Sequence, residues 1–157
     1  MIISVFIGID PGIKGAIAFL KEGEAVVFDM PLLPNKEIDP VGLSELFIDN
    51  AVVGSFCIIE KAQAMPKQGV VSTFNYGKGY GAIIAVLSLL RVTFQEVSPK
   101  KWKNTYGLTS DKKQSVAVAG MLFPDIPLIT KRGRLLDGRA EALLLADYAR
   151  TRGVNWE

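Results

Sequence analysis

Histidine is absent from the 157 residues, and cysteine occurs once, as Cys57. Without a second thiol no intrachain disulfide forms, and without imidazole there is neither a cysteine–histidine zinc site nor histidine-based acid–base catalysis. Any catalysis must rest on carboxylates, amines or hydroxyls. Long apolar runs are also missing: the longest, Ala82 to Leu90, is interrupted by Ser88 and falls far short of the ~20 residues that span a bilayer. No membrane partner is expected. Met1-Ile2-Ile3-Ser4-Val5-Phe6 lacks the basic start and cleavage site of a secretory leader and runs into a patterned strand, which points to an intracellular, cytoplasmic location. No stretch is rich in Pro, Ser or Gln and no repeat is visible, so neither disorder nor a solenoid is indicated.

What is present suffices for one compact domain over residues 1–157, with 49% hydrophobic content to fill its core. Net charge is only +2, but its distribution is uneven. Residues 1–90 carry six Lys against nine acids, or −3, and residues 91–157 carry twelve Lys and Arg against seven acids, or +5. Taken alone, that asymmetry is equally well ordinary surface charge.

Ile2 to Ile9 reads as a buried strand that delivers Asp10 to its end, before the Pro11-Gly12 turn. Ala16–Leu20 and Ala25–Phe28 flank the Lys21-Glu22-Gly23-Glu24 turn, giving a hairpin and a three-stranded antiparallel meander. Pro40 suits the first turn of a helix carrying Leu43, Leu46 and Phe47. Ser55 to Glu60 is a second buried strand, again closing on a carboxylate. A helix follows from Tyr76 to Leu90, after a stretch from Ala62 to Asn75 that reads as loop or helix start. Val92 to Val97 is a third buried strand. Ser110 or Asp111 caps a helix through Phe123, and Asp137 to Arg152 is the last helix. This order predicts an α/β fold, a mixed five-stranded sheet with helices on both faces.

Carboxylates that end buried strands need a reason, because an isolated buried charge costs several kcal/mol unless it is paired or binds metal. Asp10 and Glu60 would form a site if their strands are neighbours. Asp137 and Glu141, four apart on the last helix, share one face near its N-terminus. Converging carboxylates without histidine suit hard ions, Mg²⁺ with Mn²⁺ as substitute. Two such ions about 4 Å apart per site would activate a water and stabilise the leaving oxygen of a phosphodiester. Each acid also has a plainer role: Asp10 as turn former, Glu60 paired with Lys61 or Lys67, Asp137 as N-cap, Glu141 as an exposed helix acid.

Gly8-Ile9-Asp10-Pro11-Gly12, the strand ending Ile58-Ile59-Glu60, and Ala140-Glu141-Ala142-Leu143-Leu144-Leu145-Ala146 resemble, in order and separation, the RuvC-type Holliday junction resolvases. The resemblance spans nearly the whole chain. It implies a ribonuclease-H-like fold and a homodimer that cuts two strands of like polarity in four-way DNA using Mg²⁺ or Mn²⁺. Catalytic and metal-binding roles then fall to Asp10, Glu60, Asp137 and Glu141. Ser98-Pro99-Lys100-Lys101-Trp102-Lys103, with Gly107 and Lys112-Lys113, resembles the basic segment of phage-type members, which implies a bacterial or phage-infected cell. Two departures stand out. The family has Asp where Glu141 stands and Asp or His where Gly138 stands, so Asp137 is one place off. The aromatic wedge expected soon after Glu60 is missing, since Gln63 and Met65 occupy that stretch; Phe74 or Tyr76 would take its place.

DNA would be tracked by Lys100, Lys101, Lys103, Lys112 and Lys113. Trp102 among them either stacks on an unpaired base or packs in the core. Lys131, Arg132 and Arg134 form a second basic cluster that clamps DNA or merely solvates a loop. A twofold dimer suits paired cuts, with the Tyr76–Leu90 helix as its interface or packed on its own sheet. Three alternatives remain open: a ribonuclease-H-like RNA-processing nuclease, a catalytically inactive junction-binding module, and an ATPase lobe, the last opposed by chain length.

Overall fold

β1 (Val5–Asp10), β2 (Ala16–Lys21) and β3 (Glu24–Asp29) form the antiparallel meander that the pattern predicts. Lys21 pairs with Glu24, so the β2–β3 loop is only Glu22-Gly23, and both residues have positive φ, 50° and 84°. That backbone is the primed turn whose twist suits a two-residue hairpin. The computed structural model describes residues 3–51 and 53–152. Ile2, assigned above to the first strand, lies outside them, and β1 starts at Val5.

Next come α1 (Pro40–Asn50), β4 (Ser55–Glu60), α2 (Val70–Leu89), β5 (Thr93–Val97), α3 (Pro99–Thr105), α4 (Lys112–Leu122) and α5 (Asp137–Arg152). The strands lie in the order β3-β2-β1-β4-β5, with β4 parallel to both β1 and β5. Three helices begin on side-chain caps: Asp39 accepts from Val41 N at 3.0 Å, Ser98 from Lys101 N at 3.3 Å, and Asp111 from Lys113 N at 3.0 Å. Each cap satisfies an amide that has no helical partner.

Three local readings need correction. α2 begins at Val70, not Tyr76, because its first turns project beyond the sheet, with Val70, Val71 and Phe74 exposed; a segment that buries nothing shows no apolar period. The basic segment after Ser98 is a helix, α3, that the strand-and-helix order omits; its signal is the Ser98-Pro99 cap. β5 is not a buried strand but the sheet edge, with Thr93, Gln95 and Glu96 exposed.

Alternation along the strands divides the core in two. Val5, Ile7 and Ile9 of β1, Ile17 and Phe19 of β2, and Cys57 and Ile59 of β4 face α1 and α2. Ala16, Ala18, Leu20, Phe56 and Ile58 face α3, α4 and α5. On that second side α5 lies directly on the sheet, since a Cβ on Gly8 would come within 2.1 Å of Ala142 O. Only glycine permits so close an approach. Every residue from Ala140 to Ala149 is buried, as expected of a helix covered by the sheet on one side and α4 on the other. Arg139 fixes its start through a bidentate pair to Asp29 of β3, at 2.7 and 2.9 Å.

Candidate active site

Strand alternation decides which way the acids point. Asp10 shares the α5 side of β1 with Gly8, and Glu60 shares it on β4 with Phe56 and Ile58. Ile9 pairs with Ile59, so the two carboxylates leave adjacent parallel strands side by side. Gly8 lies under Ala142 and Ala146, so the preceding turn of α5, with Asp137 and Glu141, comes over the strand ends. Glu141 is buried, at 3% exposure, not an exposed helix acid.

The charges respond to this crowding. Burial holds the Asp10 carboxyl well above its usual range, and Glu141, Glu60 and Asp137 push it further against the pull of Lys112. Glu60 is raised too, mainly by burial, while a hydrogen bond from Trp102 works in the opposite direction. That bond, from Trp102 Nε1 to Glu60 Oε2, is 2.7 Å long. Of the two readings of Trp102, core packing is the observed one: its exposure is 0%. Sequence reasoning missed the bond to Glu60, although a buried indole N–H requires an acceptor.

The basic segment divides. Lys112 Nζ stands 3.0 Å from Asp137 Oδ2 and 3.6 Å from Glu141 Oε1, and Lys103 Nζ is 3.6 Å from the same Glu141 oxygen. Burial alone would lower the Lys112 pKa, but Glu141, Asp137 and Asp10 outweigh it and the net shift is upward. Lys100, Lys101 and Lys113 are exposed, as are Lys131, Arg132 and Arg134 on a tight turn closed by Gly133 N to Thr130 O at 2.8 Å. Phe74 is exposed at 70%, whereas Tyr76 is half-buried beside Gly12. Burial, then Glu60 and Asp10, push the Tyr76 phenol up to about 12, so it is neutral and close to the acids.

Among the described residues, no three Asp, Glu, Cys or His side chains are already spaced to hold an ion. Two ammonium groups, of Lys103 and Lys112, stand against Glu141, and Lys112 also against Asp137. The donor set nonetheless fits a hard divalent cation. Among the described residues Glu141 Oε1 is buried without a hydrogen-bond partner, its lysine contacts at 3.6 Å being ion pairs only. A buried carboxylate oxygen in that state is costly unless a cation satisfies it. Asp10, Glu60 and Glu141 offer only oxygen, the preference of Mg²⁺ and Mn²⁺. Asp137 sits at the rim, its side chain 37% exposed and engaged by Lys112.

The glycine at 138 has a steric cause. A Cβ there would lie 2.2 Å from Lys14 O, because the first turn of α5 packs on the β1–β2 turn. No acid can occupy that position without moving backbone.

By sequence, the chain matches no family model and no curated protein. By structure, it is similar to T. thermophilus RuvC in complex with Holliday junction substrate, with a TM-score of 0.62 at 19% identity, covering 94% of this chain and 96% of that one. A second Thermus thermophilus RuvC structure gives a TM-score of 0.57 at 16% identity, with 93% and 95% covered. Strand order, the helix laid over Gly8 and this near-complete overlap agree: the chain has the ribonuclease-H-like fold of RuvC.

Proposed function

We propose that the chain is a divalent-metal-dependent endonuclease that resolves four-way DNA junctions as a homodimer. The observation that supports this reading is that Asp10, Glu60 and Glu141, from three separate elements, lie near enough to raise one another's charge cost, with one buried Glu141 oxygen unsatisfied among the described residues and two lysines beside it. These three acids would hold the metal, with Asp137 able to join from the rim. The chemistry supplied there by Mg²⁺ or Mn²⁺ is Lewis-acid assistance to phosphodiester hydrolysis, for which two ions are the usual complement.

The protein's own side chains do the rest. Trp102 holds Glu60 in orientation, as outer partners of metal ligands commonly do. Lys103 and Lys112 can pair with phosphate oxygens once the acids are neutralised by metal. Lys100, Lys101 and Lys113 extend the positive surface for the DNA backbone.

The second copy is assigned to the outer face of α2. Val70, Phe74, Gly77, Gly81 and Ala85 follow one another at helical spacing, and among the described residues nothing lies within 4 Å of where a Cβ on Gly77 or Gly81 would stand. Exposed Val70 (86%), Val71 (73%) and Leu89 (81%) add apolar surface that a twofold contact would cover. Phe74 then lies near the dimer axis, suited to enter the junction centre, while Tyr76 remains with its own active site.

The test is cleavage of a four-way DNA junction in Mg²⁺ and in Mn²⁺, beside an RNA–DNA hybrid and a folded RNA. Paired cuts in two strands of like polarity are expected. Preference for hybrid or RNA would replace the proposal with an RNA-processing nuclease, and junction binding without cutting in either metal would make the chain an inactive binding module.

A further inference from the structure

A cavity of about 640 Å³ lies between the β1–β2 turn, the loop before α1 and the inner face of α2. Its size falls within the ~300–1,000 Å³ of small-ligand sites. One wall is Gly12, two residues beyond Asp10, with the Tyr76 ring beside it, 3.8 Å from where a Gly12 Cβ would stand. The cavity therefore adjoins the carboxylate pocket.

Its lining is that of a site for a flat, neutral, hydrogen-bonding group. Tyr76 and Tyr80 supply aromatic surface, and Tyr80 is fixed by donating its hydroxyl to Glu96 Oε2 at 2.6 Å. Asn35, Gln68 and Asn75 supply amides. Asn35 uses its oxygen on Glu37 N at 3.1 Å and Gln68 its oxygen on Met65 N at 3.4 Å, so both retain their NH₂ donors. At the rim Lys78 is neutralised by Glu37 at 3.1 Å. Lys36 also lines the cavity, a single cation that can meet the backbone of an entering strand, while the stacking planes and amides of the interior suit a nucleobase.

We infer that this cavity receives the unpaired base next to the scissile phosphate, stacked against Tyr76 and read along its edge by Asn75 and Gln68. The inference rests on the nuclease reading above and gives it a specificity determinant. A strand whose phosphate reaches Asp10 and Glu60 passes Gly12, and its adjacent base has this opening beside it.

A single-stranded trinucleotide with a central 2-aminopurine tests the site on the full chain without metal. Saturable quenching is expected; Tyr76→Ala and Asn75→Ala should each weaken binding by about fivefold or more, the range of base–aromatic stacking, while Tyr76→Phe keeps the quenching. Absence of quenching, or equal quenching in both alanine variants with native circular dichroism, overturns the inference. On four-way junctions of varied sequence, Asn75→Ala and Gln68→Ala should broaden the set of steps cut, and an unchanged preference would likewise overturn it. The trinucleotide has no branch and needs no cleavage, so quenching without junction cutting would remove the nuclease reading alone.

Discussion

Two helices of similar length have opposite fates in this molecule. α5 is buried from Ala140 to Ala149 and lies so close to β1 and to the β1–β2 turn that Gly8 and Gly138 cannot carry even a Cβ. α2 leaves Val70, Val71, Phe74 and Leu89 in solvent and its outward glycines in open space. The tight helix holds an acid against strand ends, where small displacements alter charge interactions; the open helix has surface to offer a partner. Fixed chemistry and available surface are thus divided between the two faces of one sheet.

The strongest way to test the tight side is to remove its charges. Glu60→Gln or Glu141→Gln should abolish junction cleavage while gel-shift affinity survives; cutting by either variant would place the chemistry elsewhere. Gly138→Asp, which restores an acid at the position the resemblance assigns to one, should lower stability by at least the ~1–3 kcal/mol of an overpacked site. Calorimetry reads this as a lower Tm, and an unchanged Tm would show that α5 can move.

Trp102→Phe keeps an aromatic ring, smaller than the indole, and removes the N–H, so metal affinity measured calorimetrically with Mn²⁺ should fall about 10- to 100-fold. The Trp102 bond lowers the Glu60 pKa, so its loss raises that pKa further and should move the pH at which Mn²⁺ binds upward. The same linkage bears on stability. Asp10 and Glu60 are both raised in the folded state, so the stability they contribute is full below their unfolded pKa values and is lost as pH rises through the folded ones. The metal-free protein should therefore lose Tm from mildly acidic to neutral pH, and Mn²⁺ should restore it at the neutral end; a metal-independent profile would contradict the coupling.

Smaller effects belong to the exposed regions. Lys100→Ala with Lys101→Ala should weaken junction binding and reduce the slope of log affinity against log salt by about two, near 0.9 per phosphate contact. Phe74→Asp on α2 should change the chain's own stability by no more than about 0.5 kcal/mol, as exposed substitutions do, while sedimentation should show a monomer where the proposed α2 contact predicts a dimer for the unaltered chain. A large fall in Tm would mean that α2 is packed on its own chain there.

The contrast between the helices also explains what could be read in advance. α5 was legible to its ends and α4 to within a residue, because the Asp111 cap, the buried apolar runs and the strand-terminal acids are local signals of tertiary burial. Counting by twos from Gly8 to Asp10 and from Phe56 to Glu60 already puts both acids on one face. The start of α2 was not legible, since residues that bury nothing carry no period. The inward turn of Lys103 and Lys112 was hidden as well: nothing in a row of lysines tells which meet solvent and which meet Glu141. The exclusion of an acid from position 138 depends on Lys14 O, more than 120 residues away in sequence.

The most direct measurement of the central claim is anomalous diffraction from crystals soaked in Mn²⁺. A peak bounded by Asp10, Glu60 and Glu141, with Lys112 withdrawn from Glu141, is the predicted result. Mn²⁺ bound only at other sites, with the lysine contacts to Glu141 intact, would contradict it.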